Sequence, residues 1–363
     1  MRLIVDARPF AEPVRGGVGR VALEIVDAYA DSFPDDEIIC ATTGSAIPKL
    51  ESRLTVRPNV KHIHIKIPNK FWSALSIVGA VSLFEQTEKR SGKADAFFMP
   101  NLGFAGRLPK NVPSVLLMHD LSFLIEPRWF SRKQRLWHKA VKAAGAIRGA
   151  TKLLAVSETT KRDAMRLLGI KDGKVEVIPI GTTLGANPSQ PPLEPRGGEI
   201  PSRYCLALGL GDPRKNAATA IEAVRMLRME EGFGDLGLVI VGARHALPAG
   251  DACVAPTWLQ TISNPTDSEL ASLYANAAAF LYPSWYEGYG LPLHEAASFG
   301  TPCIASTSGA LPGTAPVGTV FSNPAKPHHW VEAIKLALGQ PKQPYLSNKK
   351  NWDQAAEMLN KSF

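Results

Sequence analysis

The chain has 363 residues, 45% of them apolar and 20% charged, a length that suits two α/β domains of about 150–200 residues each and excludes a disordered or fibrous protein. Its 41 Lys and Arg exceed its 33 Asp and Glu by +8, and the excess is one-sided. Residues 1–190 hold 28 basic against 18 acidic side chains and residues 191–363 hold 13 against 15, which points to an anion-facing surface in the first half.

In chain order, residues 2–6 read as a short buried strand, followed by a Gly-bearing loop and a helix over residues 19–30 with apolar spacing. The start runs straight into that strand with no signal-peptide core, so a cytoplasmic protein is expected. Further apolar runs at residues 37–41, 62–67, 96–99, 114–119, 152–156 and 175–179 read as strands, with a helix over residues 158–168. The longest apolar stretch, residues 73–84, is shorter than the ~20 residues that span a bilayer. Residues 181–201 are dense in Pro and Gly, lack periodicity and read as a linker. A second series follows, with strands at 204–209, 236–242, 278–283 and 302–305 and helices at 216–229, 267–277 and 291–299. Residues 351–361 read as one more helix. The expected organisation is therefore an N-terminal Rossmann-like domain (1–180), the linker, a second such domain (202–344) and a C-terminal helix (345–363) packing back towards the first. Short buried strands alternating with helices build mostly parallel, doubly wound sheets, whose ligands sit beyond the carboxyl ends of the strands. Cys40, Cys205, Cys253 and Cys303 lie far apart with no metal-ligand or disulfide spacing, so reduced thiols and no zinc site are expected.

The segment most informative about chemistry is PSWYEGYGLPLHEAASFGTPCIAS, residues 283–306. A strand ends, a Gly-rich turn follows, and Pro292 stands where the first turn of a helix tolerates it. The backbone amides of Tyr289, Gly290 and Leu291 then form an anion site at a helix N-terminus. Glu287 and Glu295 flank it, placed to accept hydrogen bonds from hydroxyls on either side; the competing reading is a pair of solvated acids beside a structural turn. In LALGLGDPRKN, residues 206–216, Arg214 and Lys215 follow a strand end, where cations neutralise a departing diphosphate. His119 closes an apolar strand before Asp120; alone, such a histidine is more often structural than catalytic. RGGVGRVALEI, residues 15–25, contains a G-x-G-x-x-A pattern, but Gly17 stands too far from the preceding strand for a dinucleotide fingerprint.

These segments resemble the retaining glycosyltransferases of family four, of GT-B architecture: two Rossmann-like domains facing a central cleft. The E-G-F-G-L-P-x-x-E pattern is matched with Tyr289 for Phe, and the following A-x-G-x-P-V-x-A-S with Ser298 for Ala and Cys303 for Val. The resemblance runs over nearly the whole chain. It implies that Glu287 contacts the transferred sugar, that Glu295 holds the ribose hydroxyls and that residues 289–291 with Arg214 and Lys215 hold the diphosphate. It also implies that His119 reaches the donor sugar and that Gly17 contacts donor phosphate or acceptor. The chain departs from the pattern at Leu210–Gly211, where many relatives carry Arg, and at Gly313, where they carry Glu.

The resemblance further implies hexosyl transfer from a nucleoside diphosphate sugar to a glycan or lipid-linked saccharide in polysaccharide biosynthesis, with no metal or other cofactor. DARPF, GGVGR, HDLSFLIEPRWFS and GDPRKN look most like bacterial mannosyltransferases, so GDP-mannose is the favoured donor. Another GT-B enzyme (an epimerase, or a glucosyl- or galactosyltransferase) and a nucleotide-sugar-binding protein without turnover stand as alternatives. Residues 126–152 carry eight Lys and Arg and one acid, interleaved with Trp129, Phe130 and Trp137, and Lys70-Phe71-Trp72 forms a second such cluster. Such a face suits an anionic membrane surface; a solvated helix with its tryptophans in the core explains the same letters. No nucleic-acid recognition motif accompanies the charge.

Overall fold

The computed structural model describes residues 1–11, 16–102, 107–141, 143–184, 200–242, 256–345 and 350–363. Arg15, Cys253 and most of the expected linker, residues 185–199, lie outside the described residues. The chain divides into two compact units, Met1–Gly181 with Lys349–Phe363, and Thr182–Asn348. The division falls at Gly181 itself, and the chain returns to the first unit at Lys349, four residues later than the expected 345.

The first unit is built on seven strands: β1 (Arg2–Asp6), β2 (Glu37–Thr43), β3 (Val60–Ile65), β4 (Ala96–Met99), β5 (Ser114–Met118), β6 (Lys152–Ala155) and β7 (Val175–Val177). Their order is β3-β2-β1-β4-β5-β6-β7, and every pairing is parallel. β4 and β5 are buried along their whole length, as strands covered by helices on both faces must be. The chain winds outward from β1 through β2 to β3 and then jumps back to β4. The topological switch, where ligands bind in such sheets, therefore lies between β1 and β4.

Local signals end these elements. The helix Glu158–Leu168 starts on Ser157, whose hydroxyl accepts from the Thr160 amide at 3.1 Å, and stops on Gly169 in the left-handed region. The helix Gly17–Ser32 is longer at both ends than the expected 19–30, so Gly17 stands at an exposed helix N-terminus rather than in a loop. β3 begins at Val60, two residues before the expected 62–67 run, because its pairing with β2 rather than its apolar letters sets the ends.

The second unit contains β8 (Tyr204–Leu210), β9 (Gly237–Gly242), β10 (Leu259–Ile262), β11 (Ala279–Tyr282), β12 (Cys303–Ser306) and β13 (Val320–Ser322). The order is β10-β9-β8-β11-β12-β13, again all parallel, which puts its switch between β8 and β11. β10 and β13 are edge strands that the sequence pattern did not announce. Two buried clusters, one around Trp330, Val224 and Leu238 and the other around Tyr274, Phe280 and Leu293, cover the two faces of this sheet. The helix Asp267–Asn276 opens on a capping box between Thr266 and Glu269.

Candidate active site

In the second unit the chemistry-bearing residues converge at the switch point. β8 carries a bulge between Leu208 and Leu210, and the chain turns through Asp212 into the basic pair Arg214–Lys215. β11, the neighbouring strand, ends in Tyr282 and leads to Glu287. The Lys215 ammonium donates to Glu287 Oε1 at 2.7 Å and to Tyr282 Oη at 2.7 Å. The ion pair is largely buried, with side-chain exposures of 18% and 11%. Burial alone would lower the lysine, but Glu287 and Tyr282 outweigh it and hold the ammonium protonated well above the usual lysine range. Burial likewise pushes the Tyr282 phenol up, so it stays neutral and able to accept from Lys215. An ammonium has three donors, and two are spent here, which leaves one for a ligand oxygen.

Two glycines make this pair sterically feasible. A Cβ on Gly209, which has φ +93°, would lie 2.2 Å from Lys215 Cγ, so the lysine stem runs through space that only glycine leaves. A Cβ on Gly309, at φ +62°, would lie 2.7 Å from the Glu287 backbone nitrogen, and Ala310 donates its amide to the Glu287 carbonyl at 2.9 Å. Gly209→Ala is expected to push Lys215 off Glu287 and to cost about 2 kcal/mol or more through the left-handed backbone and the clash. Urea melts of the variant against the parent check this; an unchanged midpoint would remove the steric argument.

Arg214, expected on the phosphates, is held within its own turn. Its guanidinium forks onto Asp212, with Nη2 to Oδ2 at 2.8 Å and Nε to Oδ1 at 3.2 Å. Burial raises the Asp212 carboxyl, but Arg214 overcomes this and keeps it below the usual carboxylate range. Only Lys215, of the two, is brought to Glu287.

After Glu287 the turn reaches Gly290, the N-cap of the helix Leu291–Ser298. Among the described residues no protein acceptor takes the amides of Gly290 and Leu291, the arrangement that attracts an anion. The Tyr289 carbonyl accepts from Thr314 Oγ1 at 2.5 Å. Glu295, one turn into the helix and 5% exposed, accepts from Thr183 at 2.6 Å and from Tyr274 at 3.1 Å. Burial first, and the Glu295 charge second, raise the Tyr274 phenol far above its usual value, so it remains a donor. A carboxylate oxygen accepts more than one hydrogen bond, so Glu295 keeps capacity for a hydroxyl ligand.

His294 precedes Glu295 and stacks on Tyr289, ring centroids 4.9 Å apart, with its Nε2 buried and unpartnered. Burial lowers it to about 4, against the opposing hydrogen bond to the Thr314 backbone. The folded state refuses a proton that the unfolded chain takes at about 6.5, so stability is lost as pH falls from about 6.5 to about 4, by about 3 kcal/mol in full. His294→Phe should flatten that slope in urea melts; a variant with the parent's pH dependence would contradict it.

In the first unit, His119 follows β5, and its Nε2 lies 2.8 Å from the carbonyl of Pro100, just after β4. A carbonyl only accepts, so Nε2 carries the proton and Nδ1 is the ring atom with a lone pair to offer. Burial lowers the imidazole, opposed by the Pro100 hydrogen bond and by Asp120. Asp120 Oδ1 accepts from the Ser122 amide at 2.9 Å and hydroxyl at 2.6 Å, which pins the turn after His119.

Sequence reasoning missed Tyr282, Tyr274, Thr183 and the packing of Gly309 on Glu287. Only Tyr282 had a local signal, as the last polar atom of a buried strand before Pro283. Thr183 fell inside a stretch that reads as linker.

Two doubly wound parallel units, each with polar residues gathered beyond its strand ends, define the GT-B class of glycosyltransferase fold. The chain belongs to glycosyltransferase family four: residues 15–185 match the family model described as Glycosyltransferase Family 4, and residues 202–340 that described as Glycosyl transferases group 1. It is 24% identical over 328 residues to the O-antigen chain mannosyltransferase B of Escherichia coli, covering 86% of this chain and 84% of that protein. It superposes on the sucrose-phosphate synthase of Thermosynechococcus elongatus with a TM-score of 0.65 at 18% identity, over 99% of this chain and 94% of that one. Anabaena HepE in complex with UDP-glucose gives a TM-score of 0.61 at 15% identity, over 100% and 95% of the two chains. At those identities the two structures speak for the fold alone.

Proposed function

We propose that this glycosyltransferase moves a hexose, mannose before others, from a nucleoside diphosphate sugar to a glycan or lipid-linked saccharide in polysaccharide biosynthesis, with retention at the anomeric carbon. The observation that carries the reading is the buried Lys215–Glu287–Tyr282 cluster at the β8/β11 switch, with unspent amides at Gly290 and Leu291. In this reading the diphosphate takes those amides and the third Lys215 donor, and Arg214 turns from Asp212 to the phosphates when the donor binds. Glu295 holds the ribose, while Glu287 and His119 orient the sugar and Gly17 lies against phosphate or acceptor. Charge on the departing diphosphate is then met by preorganised donors, so no metal is called for. The acceptor hydroxyl attacks from the face that the diphosphate leaves, which gives retention.

The relative named as a mannosyltransferase supports mannose and, with it, GDP-mannose. The HepE complex keeps UDP-glucose as the rival donor. Purified protein incubated with GDP-mannose, UDP-glucose and UDP-galactose plus a membrane extract should consume GDP-mannose and yield an α-linked product by NMR. Consumption of UDP-glucose alone would reassign the donor, a β-linked product would refute retention, and consumption of none would refute the enzyme.

Peripheral attachment to the inner face of a membrane belongs to the same reading. Among the described residues no helix is long and apolar enough to cross a bilayer. On the helix Asn69–Ile77 Trp72 is buried, but Phe71, Leu75 and, just beyond it, Val78 form an exposed stripe at i, i+4 and i+7. Flotation with anionic liposomes at low salt should carry the protein upward, and failure to float would refute attachment.

A further inference from the structure

A concave surface lies in the first unit, beginning just after the Asp120–Ser122 turn that follows His119. The segment after Asp120 forms two short turns and then the helix Arg132–Ala140, opened by a capping box between Ser131 and Gln134. That helix is well capped, yet none of its residues is buried, and Leu136 is 69% exposed. Helices in proteins draw most of their stability from a covered apolar face, and here Trp137, His138 and Ala140 are only half-buried while Leu136 is left to solvent. Between it and the preceding turns runs a groove of about 740 Å³, a volume in the range of whole small-ligand sites. Its floor is apolar, made by Phe123, Leu124, Pro127, Leu136, Ala143 and Ala144. His138 packs between Phe123 and Phe130, 5.0 Å from each ring, and burial lowers its affinity for a proton.

The rim is cationic. Arg132, Arg135 and Lys139 border the groove, and among the described residues none of them has a carboxylate partner. Other arginines of this unit divide: Arg53, Arg57 and Arg128 pair with Glu24, Asp31 and Glu126, whereas Arg90, Arg148 and Arg162 bond uncharged oxygens. Unpaired cations over an apolar trough match a ligand that is anionic at one end and hydrocarbon at the other.

We infer that the groove between Phe123–Leu124 and the helix Arg132–Ala140 binds one lipid phosphate or diphosphate, its chain on the floor and its phosphate on Arg132, Arg135 and Lys139. This rests on the acceptor reading above and deepens it: the occupant is the lipid carrier of the saccharide acceptor. A trough takes a single chain, whereas a bilayer surface would meet a convex face.

The test uses the full chain and a probe without sugar or donor, so its result is separable from that of the transfer assay. Decyl phosphate, kept below its micelle concentration, should bind saturably at one per chain, read by calorimetry. Decanol and inorganic pyrophosphate should each bind at least about tenfold more weakly, since each offers half of the recognition. Leu136→Asp, and separately Arg132→Glu with Arg135→Glu, should weaken decyl phosphate by a similar factor with unchanged circular dichroism, because these side chains carry no core packing. Absent saturable binding, uptake of many probes per chain, variants that bind like the parent, or binding to phosphatidylglycerol vesicles alone would each overturn the inference.

Discussion

Lys215→Met is expected to lose about 3–5 kcal/mol of stability in the second unit, because it strands the buried Glu287 carboxylate without its counter-charge. Methionine keeps most of the stem that threads past Gly209, so the loss reports charge and hydrogen bonding rather than packing. The double variant Lys215→Met, Glu287→Gln should recover much of this, since a neutral amide costs far less to bury. Activity separates from stability in the same pair. If Lys215 receives charge from the departing diphosphate, the double variant refolds but remains ~100- to 1000-fold slower, the size of a lost preorganised donor. Equilibrium denaturation and initial rates with the accepted donor are the two measurements. A single variant that loses under about 1 kcal/mol would mean that the pair is solvated rather than buried.

The second large effect concerns the C-terminal segment. Removing residues 350–363 should unfold the first unit, although none of its sheet strands is touched. The helix Lys350–Lys361 lays Ala355, Ala356 and Leu359, all fully buried, with Trp352 at 7% exposure, against its surroundings and the helix Gly17–Ser32. Tyr29 of that helix lies within 2.9 Å of Asn360, and Asn351 donates to the Ile180 carbonyl at 3.0 Å. Burial of Trp352 and Leu359 alone is worth about 3–6 kcal/mol, against the ~5–15 kcal/mol that holds a domain together. Hydrogen exchange on β1, β2 and β4 of the shortened chain reads this directly. Protection equal to that of the full chain would show that the segment is dispensable. Trp352→Ala should cost about 3–5 kcal/mol on its own.

The sequence alone was enough for the strands that run through the middle of each sheet. β1, β4, β5, β8, β11 and β12 are short apolar runs because both faces are covered, and that burial is written into consecutive letters. β10 and β13 leave no such run, since only Leu259 and Ile262 of β10 and Ser322 of β13 are buried, although the edge strands β3 and β7 of the first sheet are legible. The helix Pro327–Leu338 carries a readable stripe in Trp330, Val331, Ile334 and Ala337 and a proline in its first turn, yet it is absent from the elements read from the sequence.

The candidate site divides in the same way. The Gly-rich turn, its flanking acids Glu287 and Glu295, and the basic pair Arg214–Lys215 are local signatures, legible because a helix N-terminus and a strand end are made by neighbours in sequence. That Lys215 pairs with Glu287, 72 residues away, while Arg214 turns to Asp212, depends on β8 lying beside β11, and no local pattern encodes strand order. The same holds for Thr183 and Tyr274 on Glu295, and for a C-terminal helix that completes the first unit. Periodicity reports which face of an element is covered, whereas the identity of the cover is settled only when distant segments compete for the same surface.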